Sequence, residues 1–303
     1  MYHAIIDLGT NTCNLLIANI KGKQYEILYN GKEGVKLGRE GINLNILTSE
    51  AFERTAKAIL NHLQIIKRYP VNEITFIATS AVRDATNKDK FVNYIFEKTG
   101  LLMTIISGQE EADYIFKGVL LAFVTMDDSL ILDIGGGSNE FILTQGISPV
   151  WRESFPLGMS RIISRFPISD PIKSDEIQAI EEYFDKGIES LWKRLYSIRV
   201  QQLIGCSGAF DTLADLIDNV PASTKFRVTQ NINICDFNDV SEKIIRSTTA
   251  QREKMVSMEP LRIEMIVPSC IFIRLILKKL SIKEIVQTGF SLKEGVLYTK
   301  INS

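Results

Sequence analysis

Short apolar runs bounded by turn residues alternate along this chain with longer stretches whose apolar positions fall three and four apart. That alternation predicts strands and helices in turn. Strands are predicted over residues 2–7, 15–20, 25–29, 73–78 and 101–106. Residues 32–45 are charged and carry Gly34, Gly38 and Gly41, which predicts a loop. A helix over 49–69 is capped at Thr48-Ser49-Glu50, aligns Phe52, Ala56, Ile59, Leu60, Leu63 and Ile66 on one face, and stops at Pro70. Residues 79–84 read as a loop holding Arg83, and 88–99 as another helix. Over 107–123 the positions Ala112, Ile115, Phe116, Val119, Leu120 and Phe123 form one helical stripe. Glu111 lies roughly 110° and Glu110 about 150° from the centre of that stripe, so Glu110 faces water and Glu111 flanks the packed surface. Both equally suit the positive end of a helix dipole.

The later half repeats the alternation. An apolar run at Leu130–Leu132 ends in Asp133, and Gly135, Gly136 and Gly137 lead through Ser138, Asn139 and Glu140 into a second run at 141–143. A strand over 149–155, helices over 159–166 and 174–196, a strand over 201–205, a small-residue loop over 205–209 and a helix over 210–217 follow. Residues 220–229 read as polar and exposed, 240–258 as helix, 263–280 as a buried helix, 284–288 as strand, and 289–301 as loop and closing helix. This order predicts an α/β fold with mixed sheets flanked by helices.

Strand, glycine turn, strand is a hairpin. Its glycines permit positive φ and lack a Cβ, so several N–H groups can face one anion beside the Ser138 hydroxyl. No lysine and no following helix are present, unlike a P-loop. A glycine hairpin without a ligand is the simpler alternative. The same figure occurs earlier, where Asp7-Leu8-Gly9-Thr10-Asn11-Thr12 also follows a strand and enters another. A repeat at this separation predicts duplicated domains, 1–124 and 125–303, with the hairpins facing across a cleft and the closing helix near 290–301 packing back on the first domain. The run 205–209 before a helix is a third anion-type site or a plain tight turn.

Composition narrows the chemistry. A net charge of −1 over 303 residues gives no global field for nucleic acid, so an anionic ligand needs a local basic cleft. The four cysteines, Cys13, Cys206, Cys235 and Cys270, form no CxxC pair, which favours reduced thiols and a cytoplasmic setting over a zinc site. No signal segment is expected before the first strand, and 265–280 is interrupted by Pro268, Arg274 and Lys278, so no membrane span is expected. Only His3 and His62 are present, which leaves no Ser/His/Asp or Cys/His set and makes water or a substrate hydroxyl the expected nucleophile. Asp7 and Asp133, at the ends of matched strands, suit Mg²⁺ held through waters, or serve only their own turns. Arg83 offers a planar fork to phosphate oxygens, or a surface ion pair. Glu111 and Glu140 are candidates for polarising water.

The paired Asp-apolar-Gly hairpins resemble those of the superfamily of actin, the heat-shock chaperone ATPases and the sugar kinases. Within it, DLGTNT, TSAVRDA, SGQEEA, DIGGGSNE, PLG and GCSGA, in order along nearly the whole chain, are similar to the exopolyphosphatase and guanosine-pentaphosphate phosphohydrolase family, Ppx/GppA. The resemblance implies two ribonuclease-H-like, actin-like domains around a cleft and Mg²⁺-dependent release of the terminal phosphate from polyphosphate or pppGpp. It implies Glu111 as general base, with Glu140 and Arg83 also catalytic. Gly9, Thr10, Asn11, Thr12, Arg83, Gly135, Gly136, Gly137, Ser138, Ser207 and Gly208 would hold phosphate, and Asp7, Asp133 and Glu140 the metal. A homodimer without nucleic-acid or membrane partners is expected. Longer members carry a further helical domain, and Ser-Gly-Ala-Phe-Asp stands here where many relatives have Ser-Gly-Thr. An ATP-dependent phosphotransferase and a non-catalytic nucleotide-binding switch remain the alternatives.

Overall fold

A computed structural model describes residues 1–39, 41–196 and 198–302. The first part runs β1 (Tyr2–Leu8), β2 (Thr12–Lys21), β3 (Gln24–Gly34), α1 (Ser49–Ile66), β4 (Glu73–Ala78), α2 (Ser80–Arg83), α3 (Lys88–Thr99), β5 (Thr104–Ile105) and α4 (Gly108–Ala122). The second runs β6 (Ser129–Ile134), β7 (Asn139–Gln145), β8 (Ser148–Phe155), α5 (Met159–Arg165), α6 (Ser174–Gly187), α7 (Glu189–Leu195), β9 (Gln202–Cys206) and α8 (Ser207–Asp218). It ends with β10 (Thr229–Ile232), α9 (Ile234–Ile245), α10 (Thr249–Glu253), α11 (Ile266–Leu280), β11 (Glu284–Thr288) and α12 (Leu292–Ile301).

Two mixed sheets result. The first has the order β3-β2-β1-β4-β5, and the second, read from its far edge, β8-β7-β6-β9-β11 with β10 added outside. In both, an antiparallel meander of three strands is extended by two parallel strands, so the duplication seen in the hairpins is a duplication of whole sheets. Each central strand, β1 and β6, is buried almost throughout, as parallel pairing with helices on both faces requires.

The helices that follow the last parallel strands, α4 and α12, lie between the sheets. Ile5 and Leu16 of the first sheet, Ile131 and Ile204 of the second, and Ala112, Ile115, Val296 and Leu297 of the two helices form one apolar cluster. The closing helix α12 therefore packs on α4 and against β1 and β2. The rest of each sheet has its own core, Phe52, Phe91 and Ile59 under the first and Phe141, Phe184 and Phe272 under the second.

Several expected boundaries differ. Residues 79–84 are not a loop: Ser80–Arg83 is one turn of helix, closed by the Asp84 N–H on the Ser80 carbonyl. Nor is 205–209 a loop, because β9 runs into α8 with Ser207 as its first residue at φ 69°. The helix expected over 174–196 breaks between α6 and α7, where Gly187 packs on Leu157 with no room for a Cβ. That expected over 240–258 is two pieces, since the Thr248 side chain and Gln251 form a capping box that starts a new helix. The strand expected over 101–106 is only Thr104–Ile105, and β3 continues into the loop expected over 32–45, of which Glu40 lies outside the described residues. Within 220–229, Arg227 is buried rather than exposed, paired with Asp215 at 2.6 Å and Asp218 at 2.7 Å. No helix among the described residues is long and apolar enough to cross a membrane.

Candidate active site

The two hairpins, the starts of α4, α8 and α12, and residues 223–227 surround a cleft of about 550 Å³. Gly9, Thr10, Asn11 and Thr12 line it from the first sheet, and Gly135, Gly136, Gly137, Ser138, Ser207 and Gly208 from the second. Asp7, Glu111, Asp133 and Glu140 also reach it. Arg83 is not among the lining residues, because its guanidinium is turned onto the Glu111 carboxylate at 2.7 Å and the Ile106 carbonyl at 3.2 Å.

The glycine hairpin is aimed by its neighbour. The N–H groups of Gly158, Met159 and Ser160, the first turn of α5, donate to the carbonyls of Gly137, Gly135 and Gly136 at 3.3, 3.0 and 2.8 Å. In a trans peptide the N–H points opposite to the carbonyl before it. Three captured carbonyls therefore turn the N–H groups of Gly136, Gly137 and Ser138 away from α5. The glycines here are not in the left-handed region, which among glycines is taken only by Gly22, Gly100 and Gly146 of the described residues. What the site needs is the missing Cβ: one on Gly137 would lie 2.6 Å from both the Ser80 and Thr10 hydroxyls. The first loop is held in the same manner, with the Thr10 carbonyl taken by Gly38 and the Asn11 carbonyl by Val35 and Lys36. The Asn11 amide spans to Ser160 at 2.9 Å and to the Met265 sulfur at 3.1 Å, so it ties the loops together as well as lining the cleft.

Register places the acids. Asp133 faces Glu140 across β6 and β7, and Asp7 faces Asn14 across β1 and β2, at the same seven-residue spacing. The Asn14 amide donates to Asp7 Oδ2 at 2.9 Å, while Asp7 Oδ1 is buried without a hydrogen-bond partner among the described residues. Burial raises the Asp7 pKa to about 6 against the Asn14 hydrogen bond. Asp133 accepts from Ser207 Oγ at 2.6 Å and from Ser291 Oγ, and burial raises its pKa as well. Burial raises Glu111 to about 7, with Arg83 opposing and Asp133 and Asp7 adding to the rise. Glu140, whose Oε1 accepts from Ser154 Oγ at 2.6 Å, is pushed far above the usual carboxylate range by burial, then by Glu111 and Asp133. Because Arg83 sits on Glu111 and not on Glu140, Glu111 is the more readily ionised of the two. Glu110, by contrast, is exposed and closes a capping box with Ser107.

Among the described residues no three acidic, histidine or cysteine side chains converge closely enough for a metal cage, so Asp7, Asp133 and Glu140 share the cleft without forming a ready ligand triad. The lone Asp7 Oδ1 beside Asp133 still fits a hydrated Mg²⁺, which needs only one or two carboxylates and keeps its waters. Sequence reasoning missed three groups on the far wall. Asp211 is raised to about 6 by burial and accepts from the Gln287 amide at 2.8 Å. Arg262 lies over Gly208, Lys293 forms an ion pair with Glu294 at 3.0 Å, and both cations line the cleft. None belongs to a glycine loop, so only tertiary structure brings them in.

Two mixed sheets of one topology, joined by paired helices and open at matched glycine hairpins, define an actin-like fold with a cleft at the hairpins. Residues 16–303 match the model of the Ppx/GppA phosphatase family, and the chain belongs to that family. A crystal structure of an exopolyphosphatase from Cytophaga hutchinsonii is 35% identical and superimposes with a TM-score of 0.95, covering 100% of this chain and 98% of that one. A bifunctional 3-dehydroquinate synthase/phosphatase of Fusobacterium nucleatum is 34% identical over 90% of this chain. A guanosine-5'-triphosphate,3'-diphosphate pyrophosphatase of Pseudoalteromonas atlantica is 25% identical over 98% of it. The chain spans 43% and 58% of the lengths of these last two relatives.

Proposed function

We propose that this chain is a phosphohydrolase that releases the terminal phosphate of inorganic polyphosphate or of pppGpp, with water as the nucleophile. One observation carries the reading: a buried carboxylate near neutrality, Glu111 on Arg83, opens on the same cleft as N–H groups turned outward by α5. The named substrates of similar proteins, polyphosphate for the Cytophaga enzyme and a guanosine polyphosphate for the Pseudoalteromonas one, supply the substrate class. We take the cleft to divide two ribonuclease-H-like domains, 1–124 and 125–303.

In this mechanism the terminal phosphate rests on the N–H groups of Gly136, Gly137 and Ser138 and on the loop of Gly9, Thr10, Asn11 and Thr12. Ser207 and Gly208, at the start of α8, receive the next phosphate. Glu111 takes a proton from water as the oxygen attacks phosphorus in line, the bridging P–O bond breaks, and a chain one phosphate shorter leaves. Arg83 holds the Glu111 carboxylate in place and lends its charge to the phosphate. Glu140, less readily ionised than Glu111, leaves Glu111 to act as the base. Asp7 and Asp133, with Glu140 beside them, would hold Mg²⁺ through water. Bound there, the cation would neutralise phosphate charge.

Purified protein offered polyphosphate, pppGpp, or ATP with an acceptor, with and without Mg²⁺, tests the reading. Mg²⁺-dependent phosphate release from polyphosphate or pppGpp is expected. No release from either contradicts it, and acceptor-dependent transfer from ATP would replace it with a phosphotransferase.

A further inference from the structure

One side chain outside the cleft wall joins the phosphate hairpin of the second sheet to the elements that carry Arg83 in the first. Arg161, one turn into α5, is 13% exposed at its side chain and makes four hydrogen bonds. Its Nε donates to the Gly137 carbonyl at 2.9 Å, and its Nη2 to Asp84 Oδ2 at 2.6 Å. Its Nη1 donates to the Ile42 carbonyl at 2.9 Å and to Asn45 Oδ1 at 3.2 Å. Asp84 ends α2, and its other oxygen lies 3.7 Å from Arg83 Nε. Arg83 in turn holds Glu111.

We propose that Arg161 is a positioning residue for hydrolysis: its guanidinium clasps the hairpin to α2, so that the phosphate cradle and the Arg83–Glu111 pair keep one spacing. This rests on the phosphohydrolase reading above. The planar fork explains why arginine stands here, since four acceptors in three directions suit a guanidinium and not the point charge of lysine. Two contacts bear on chemistry. The bond to Gly137 fixes the peptide whose N–H, on Ser138, faces away from α5, and the bond to Asp84 keeps that carboxylate from drawing Arg83 off Glu111. Arg161 touches no substrate, so a long phosphate chain keeps its other contacts when Arg161 is lost. The effect falls on the alignment of the terminal phosphate with Glu111, and hence on kcat rather than KM.

The test compares wild type, Arg161→Ala and Arg161→Lys by steady-state kinetics on polyphosphate, with thermal denaturation and amide hydrogen exchange on the same samples. Arg161→Ala is expected to lower kcat about 100-fold with KM within about threefold, Arg161→Lys to recover little of it, and millimolar guanidinium to restore Arg161→Ala at least about tenfold without stimulating wild type. Exchange should quicken at residues 135–138 and 80–84 together and stay unchanged in β10 and β11. A kcat within about threefold of wild type, a loss wholly in KM, full activity of Arg161→Lys, or no guanidinium rescue of a folded Arg161→Ala protein would overturn the proposal. Wild-type protein that hydrolyses nothing would count against the phosphohydrolase reading alone. Exchange then decides the clasp, and unchanged protection in both segments of Arg161→Ala overturns it.

Discussion

Gly118 of α4 and Gly295 of α12 face each other where the two helices cross. A Cβ on Gly118 would overlap the Ser291 carbonyl, and one on Gly295 the Tyr114 carbonyl. The reciprocal gap lets the backbones approach, and it sets Glu111 at one helix start near Ser291 and Lys293 at the other.

Gly118→Ala and Gly295→Ala should therefore each destabilise the protein although alanine is the better helix former. Overpacking against backbone costs about 1–3 kcal/mol, more than the propensity gain of roughly 1 kcal/mol. Urea denaturation measures it; a variant as stable as wild type would mean the helices do not cross this closely in solution.

Asp7 predicts a pH-dependent stability. Its folded pKa of about 6 lies above the ordinary value of 3.8, so its favourable contribution is complete below about pH 4 and is lost as pH rises through 6. Asp7→Asn should match wild type at about pH 3 and gain on it by about 1–3 kcal/mol by pH 8 in chelator. Mg²⁺ at pH 8 should raise the melting temperature of wild type and not of Asp7→Asn. Equal shifts in both would remove Asp7 from the proposed metal ligands.

Much of this is legible in the residues alone. The matched Asp-apolar-Gly runs foretell two sheets of one topology, and the wheel position of Glu111 foretells its burial at 7% exposure. The repeat extends further than the two loops, since Asn14 stands seven residues after Asp7 as Glu140 stands seven after Asp133. Arg83 reads as a phosphate fork or a surface ion pair because the short turn Ser80–Arg83 carries no apolar period to orient it, and only packing shows that its ion-pair partner is the buried Glu111. Asp211, Arg262 and Lys293 escape sequence reasoning because each sits in an ordinary helical or polar context and reaches the cleft through the crossing of distant elements. The broken helices at 187–188 and 246–248 escape it because apolar spacing continues across a break that a single glycine or a Thr-x-x-Gln cap imposes.

Arg227 shows the same limit with a stability consequence. Buried with Asp215 and Asp218, it anchors the polar segment that rims the cleft. Burial works against the Asp218 charge, yet hydrogen bonds from Lys225, Arg227 and Gln230 bring its pKa down to about 2. Arg227→Ala leaves the buried Asp215 carboxylate with no cation and only the Ser223 N–H, while Asp218 keeps Lys225 and Gln230, and should cost about 3–5 kcal/mol. Limited proteolysis should then cut within 220–228, whereas wild type resists; an unchanged digestion pattern would deny the anchor.

The central claim is that Glu111 activates water within the cleft. Glu111→Gln keeps the size of the side chain and its acceptor for Arg83 while removing the base. The most direct measurement is single-turnover phosphate release from polyphosphate by wild type and Glu111→Gln between pH 5.5 and 8.5, with binding measured in parallel. The account predicts a wild-type rate that rises through about pH 7, as Glu111 loses its proton, and a variant that binds as tightly but turns over about 10²–10⁴-fold slower with no such rise. A variant that releases phosphate at the wild-type rate with the same pH profile would contradict it.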